Sequence, residues 1–101
     1  MTTQVTTPTR EVNYDCLPEH MQDGARLYIE QGIPPGGFLM AVLCNDLVGA
    51  VGRADAVNQS RLVNWALWLH NDIPMAAWGS LEKVQAWMAA VREDEREGAR
   101  G

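Results

Sequence analysis

Residues 32–71 read GIPPGGFLMAVLCNDLVGAVGRADAVNQSRLVNWALWLHN, and their punctuation decides the fold. Ile33-Pro34-Pro35-Gly36-Gly37 is a rigid turn, since two prolines forbid helix continuation and two glycines permit a sharp corner. The apolar run that follows predicts a second helix opening at Gly36 or Gly37 and reaching about Gly52. Phe38, Leu39, Val42, Leu43, Leu47 and Val51 form its wide band, and only Asn45, Asp46 and Arg53 interrupt it. A helix with so few polar positions belongs in an interior, so the other segments must cover it. Asp55 is the expected N-cap of a third helix, whose stripe is Leu62, Trp65, Ala66 and Leu69, broadened by Val63 and Trp68.

Working outward, the spacing predicts a first helix over 18–31. Pro18 suits its opening turn, Met21, Ala25 and Tyr28 share one face, and Gly32 stands at the C′ position. On the other side, Asn71, Asp72 and Pro74 end the third helix, and IPMAAWG leads to Ser80, a second expected N-cap. Leu81, Val84, Trp87, Met88 and Val91 give the last helix its period, with Glu82 in the first turn where the dipole favours an anion. Residues 11–17 carry Val12, Tyr14 and Leu17 and should lie against the core as an extended lead-in. No segment alternates as a strand does. The expectation is an all-α fold, a compact bundle of about four helices with flexible termini: an N-terminal arm over 1–11, one helical domain over 12–91 and a charged tail over 92–101, helical and frayed or disordered.

Composition bounds the function. With 101 residues and 47% apolar content there is material for one domain and one core. Thirteen acidic residues against eight basic ones leave a formal net charge of −5, which disfavours nonspecific binding to phosphate backbones. Between residues 12 and 91 the count is 8 acidic against 4 basic, a net −4, so the polar run Asn58, Gln59, Arg61, Asn64 reads as a solvated face rather than a DNA-reading helix. No uncharged apolar run reaches the roughly 18 residues of a membrane span, and MTTQVTTPTREVN lacks the pattern of a signal peptide. A cytoplasmic protein with no membrane partner is expected, and two cysteines fit reduced thiols there.

The segments LPEHMQDGARLYIEQGIPPGGFLMAVLCNDL, residues 17–47, and WLHNDIPMAAWGSLEKVQAW, residues 68–87, resemble a group of small uncharacterised proteins encoded by tailed bacteriophages and prophages. IPPGGFLMAVLCNDL and WGS are the distinctive pieces. The resemblance implies a phage accessory protein, of the kind used in host takeover or counter-defence, acting by binding in the host cytoplasm. It implies no catalytic residue.

Four chemistries remain to be weighed on the residues. Cys16, His20, Cys44 and His70 make a Cys2His2 set by count, but their spacing fits no compact zinc site, and Cys44 in an apolar helix is a small hydrophobe, so no metal or other cofactor is expected. A Cys–His nucleophile lacks an orienting third group, and Asp46 is a boundary residue that bonds nearby backbone or Arg26; no enzyme is expected. The two glycines of the turn, Gly36 and Gly37, with Arg26 and Arg53, could hold a small anion such as a nucleotide phosphate at a helix N-terminus, although no Gly-Lys-Ser/Thr follows. Finally, four tryptophans exceed what so small a core can hide: Trp65 and Trp87 lie on core stripes, while Trp68 and Trp78 belong at an edge beside Met75. Edge tryptophans mark interfaces. The preferred expectation is therefore an interaction protein, self-associating or bound to a protein partner through Trp68, Trp78 and Met75, with the small-anion module as the alternative.

Overall fold

The structure, a computed structural model, describes residues 12–100, with side chains through residue 94; the N-terminal arm expected over 1–11 lies outside the described residues. Every regular element described is helical. In chain order they are α1 (Glu19–Gln31), α2 (Gly37–Leu43), α3 (Leu47–Arg53), α4 (Ala56–Ser60), α5 (Leu62–Asn71), a 3-10 turn (Met75–Ala77) and α6 (Leu81–Arg100). The all-α expectation holds, but six helices replace about four.

Two of the expected helices are each broken in two, and both breaks have local causes. After α2 the chain enters the left-handed region at Asn45, φ 64°. Asn45 N–H donates to the Val42 carbonyl and Asp46 N–H to the Ala41 carbonyl, at 3.0 and 2.9 Å. This pair of bonds is the Schellman closure, which satisfies carbonyls that a helix end leaves open. Asp46 then caps α3, its Oδ1 accepting from Gly49 N–H at 3.0 Å. One residue ends a helix and the next begins another. The second break falls at Arg61, φ −116°, whose N–H bonds back three residues to Asn58 O. Asn58 is buried there because its side chain accepts from the Trp65 indole, 3.2 Å away.

Other boundaries follow the sequence closely. Asp55 accepts from Asn58 N–H at 2.7 Å and Ser80 Oγ from Lys83 N–H at 3.2 Å, as N-caps do. Pro18 is the residue before α1 rather than its first turn. The last helix does not stop near Val91 but continues through the charged segment to Arg100.

The core gathers Leu17, Ala25, Tyr28, Ile29, Phe38, Leu39, Leu43, Trp65, Trp68, Ala77 and Val84. Tyr14 joins it from the lead-in, which lies against the helices as its apolar residues predicted. Two members of the band expected in the second helix are outside it: Leu47 and Val51 are exposed, because the Asn45–Asp46 corner redirects α3 and leaves Ala50 as its buried residue.

Gly32 ties α1 to α6. Its φ is 68°, its carbonyl accepts from Arg92 Nε at 3.0 Å, and a β-carbon placed there would stand 2.7 Å from the Met88 carbonyl oxygen. The left-handed conformation and the close backbone together exclude a side chain. Gly32→Ala is expected to lower unfolding free energy by about 1–3 kcal/mol. Urea denaturation checks it: a change within about 0.5 kcal/mol, the range of ordinary surface substitutions, would mean that α1 and α6 do not meet at this glycine.

Candidate interaction surface

The tryptophans expected at an edge divide. Trp68 is fully buried, 0% exposed, so its assignment to an exposed contact is corrected. Its ring meets Trp65 edge to face, centroids 5.8 Å apart at 90°, and lies 6.1 Å from the Tyr14 ring. Its indole N–H donates to Asn13 O at 3.0 Å, so the lead-in closes over the side of α5 that Trp68 occupies. The buried face of α5 is therefore centred between Trp65 and Trp68, not between Leu62 and Ala66. Trp78 is partly buried against the core, and its covered indole N–H has no acceptor among the described residues. Met75, in the 3-10 turn, is 75% exposed. Trp87, expected in the core, is partly buried and packs on it, with its indole donating to Ile29 O at 3.2 Å.

Rotation of α5 turns a different set outward. Val63, Ala66, Leu67 and His70 succeed one another at helical spacing and are all exposed, Val63 by 71% and Leu67 by 50%. Beside them opens a cleft of about 110 Å³ between the α2–α3 corner and α5, lined by Val42, Leu47, Ala50, Leu62, Trp65, Ala66 and Leu69, with Asn45 and Asp46 as its polar members. On the far bank Leu47 is 70% and Val48 82% exposed. Leu47 belongs to the cleft lining, whereas Val48, Val63 and Leu67 are exposed on the same two helices outside it. A signal for this arrangement exists in the sequence: Asn45-Asp46 is a C′ and N-cap pair, and Val63 and Leu67 stand four apart.

The residues of the small-anion alternative are only partly brought together. Gly36 precedes α2 and Gly37 opens it, and the Arg53 side chain lies along Gly37, its Cδ 3.3 Å from where a β-carbon would stand. Arg26 is engaged elsewhere: it pairs with Asp23 at 3.5 Å and Glu30 at 4.0 Å, and its guanidinium sits 4.8 Å over the Tyr14 ring. Tyr14 in turn donates to Glu30 at 3.1 Å, and burial, then Glu30, push its phenol well above the usual tyrosine range.

The cysteines and histidines go separate ways. Cys16 Sγ is 4.0 Å from Asp72 Oδ2, whereas His20 Nε2 is 3.0 Å from Asp55 Oδ2. Burial raises both thiols above their ordinary range, with Asp72 adding to the effect at Cys16 and Asp46 at Cys44, so neither is an activated nucleophile. Among the described residues no three His, Cys, Asp or Glu side chains converge as a metal site. The Asn58 N–H, and then His20, hold the Asp55 carboxyl below its usual range. Its cap bond and its hydrogen bond with His20 therefore stabilise the fold above the unfolded carboxylate pKa, and that contribution disappears as pH falls through the lowered folded value. No helix described is long and apolar enough to cross a membrane.

Compared with known protein families, curated proteins and solved structures, the chain matches none.

The burial of Trp68 makes a direct prediction. Trp68→Ala should cost about 3–5 kcal/mol as a large core deletion, while Met75→Ala should stay within about 0.5 kcal/mol. Thermal denaturation of the two variants decides it; a Trp68→Ala protein that melts with wild type would return Trp68 to the surface.

Proposed function

We propose that the protein acts by binding another protein through the apolar surface of α3 and α5, not through Trp68. The observation that carries this reading is the exposed aliphatic set Leu47, Val48, Val63 and Leu67 on the two helices that border one apolar cleft, with Leu47 in its lining. Single exposed aliphatic residues are ordinary on any surface, but four of them on two helices that border an apolar cleft are a liability in a free chain and an asset in a complex. The biological setting in this reading is the one implied by the resemblance of IPPGGFLMAVLCNDL and WGS: an accessory protein of phage type, working in the host cytoplasm in takeover or counter-defence, with no catalytic step of its own. The anion-binding alternative has less support, since Arg53 alone of its two arginines lies by the glycines, and α2 is a helix of seven residues. Met75 and Trp78 lie outside the cleft lining and are not needed for the reading.

The test is a triple variant, Val48→Gln, Val63→Gln, Leu67→Gln. All three side chains are exposed, so stability should change by no more than about 1 kcal/mol. Binding should fall at least tenfold. Cross-linking and affinity capture from the host cytoplasm, with mass in solution measured alongside, compare wild type with the variant. A captured protein lost with the variant supports the reading, and a wild-type mass above the monomer lost with the variant assigns the face to self-association. Equal capture and equal mass for the two proteins would end it.

A further inference from the structure

The lead-in, residues 12–17, has no regular structure, and it meets the helices through side chains. Its own backbone closes a turn, Leu17 N–H donating to Tyr14 O at 3.1 Å, while Asp15 N–H donates to the Asn13 side chain at 2.8 Å. The bonds that reach the rest of the protein are of another kind. The Trp68 indole donates to Asn13 O at 3.0 Å, the Asn64 amide to Cys16 O at 3.1 Å, and the Tyr14 phenol to Glu30 at 3.1 Å. Between residues 12 and 16 Tyr14 alone is buried, whereas Leu17 and Pro18 sit within the body of the fold. Leu17 O also accepts from the Gln22 side chain at 3.0 Å, so the chain is anchored where α1 begins.

The groups that hold Tyr14 from outside are reached by water. The Arg26 side chain, over its ring, is 47% exposed, and that of Glu30 39%. A segment with one buried side chain and half-exposed anchors opens at a lower free energy than the core it lies on. Beneath it lies one side of Trp68, which the helices alone do not cover: the lead-in supplies both the acceptor for its indole and the Tyr14 ring beside it. Trp65 is held independently, by Asn58 of α4 and Phe38 of α2. Lifting residues 12–16 would strip Trp68 of its cover and leave the partners of Trp65 in place.

We infer that residues 12–16 form a lid that opens about Leu17 while the helices stay packed, so that Trp68 is closed off in one state of the folded protein and open to solvent in another. Closed, the lid seats its own Tyr14 between Trp68 and the Arg26–Glu30 side of α1. No lid residue lines the α3–α5 cleft, so the inference stands apart from the binding face proposed above.

The two indole N–H groups are the reporters, read by NMR as they exchange with heavy water in the full chain. The Trp68 indole should exchange at least tenfold faster than the Trp65 indole. Urea well below the unfolding midpoint should accelerate Trp65 far more than Trp68, because sensitivity to denaturant scales with the surface exposed in the opening. Phe38→Leu loosens the contact with Trp65 away from the lid, and it should speed Trp65 exchange several-fold while leaving Trp68 unchanged. Tyr14→Phe keeps the ring but removes its bond to Glu30, and it should speed Trp68 exchange several-fold. A Trp68 indole that exchanges with Trp65, with the same urea dependence and the same response to Phe38→Leu, is exposed only when the whole chain unfolds, and the lid would be overturned. Indifference of Trp68 to Tyr14→Phe would overturn it too, since the indole would then exchange without the lead-in moving.

Discussion

A row of aromatic rings, Phe38, Trp65, Trp68 and Tyr14, is the constraint on which the rest of the molecule depends. Phe38 meets Trp65 edge to face at 5.3 Å, Trp65 meets Trp68 the same way, and Tyr14 closes the row. Edge-to-face contacts of this kind favour one arrangement over a loosely packed alternative, because the ring quadrupoles reward a specific angle. The polar ends of the buried rings then act at a distance. A buried indole or phenol must find an acceptor or forfeit the cost of desolvation, and four of the rings recruit a particular carbonyl or amide, while the covered Trp78 indole has none among the described residues. Trp65 takes Asn58, Trp68 takes Asn13 O, Trp87 takes Ile29 O, and Tyr28 takes Ala77 O at 2.6 Å. Three of these bonds join residues about fifty positions apart, and they tie the lead-in, α1, α5, the 3-10 turn and α6 into one body around little apolar mass.

How much of this was legible in the sequence depends on whether the signal was local. The Pro-Gly turn, Gly32 at the end of α1, and the caps at Asp55 and Ser80 are decided by residues within one turn of each other, and they stand where their chemistry placed them. So does the period of α1, with Ala25, Tyr28 and Leu17 buried. The helix count went astray at Asn45-Asp46 and at Arg61. In the first case a long apolar period spoke for one helix, while two polar residues spoke for a stop and a start. Local capping prevailed, since Asn tolerates the left-handed position and Asp satisfies the next open N–H. In the second case the break depends on a buried bond from Trp65 to Asn58, and no periodicity announces a side chain that accepts seven residues away.

The position of Trp68 was not legible for a related reason. On a helical wheel α5 offers two defensible centres, one at Leu62 and Ala66 and one between Trp65 and Trp68. Aliphatic periodicity favours the first. What favours the second is the lead-in, which supplies Asn13 O to Trp68 and Cys16 O to the Asn64 side chain at 3.1 Å. Rotating α5 to satisfy those bonds buries two indoles and exposes Val63 and Leu67 instead. The surplus of apolar surface anticipated for so small a chain is real, but it is aliphatic rather than aromatic.

The candidate surface is then a by-product of the two features that specify the fold. Leu39, Leu43, Leu47 and Val51 are spaced as one stripe, and a continuous helix would have carried all four toward the same side. The corner at Asn45–Asp46 keeps Leu39 and Leu43 in the core and turns Leu47 out, opening the gap between α3 and α5 that becomes the cleft. The indole bonds hold α5 in the rotation that sets Ala66 at that cleft and Leu67 on its outer side. Both causes are backbone or buried hydrogen bonds, which resist adjustment more than side-chain rotamers do, so the cleft is built into the fold. A preformed groove avoids the ordering cost that an adaptable surface incurs on binding. The same rigidity fixes the shape the cleft presents, with the cap residue Asp46, held by its own bond to Gly49, among its lining residues.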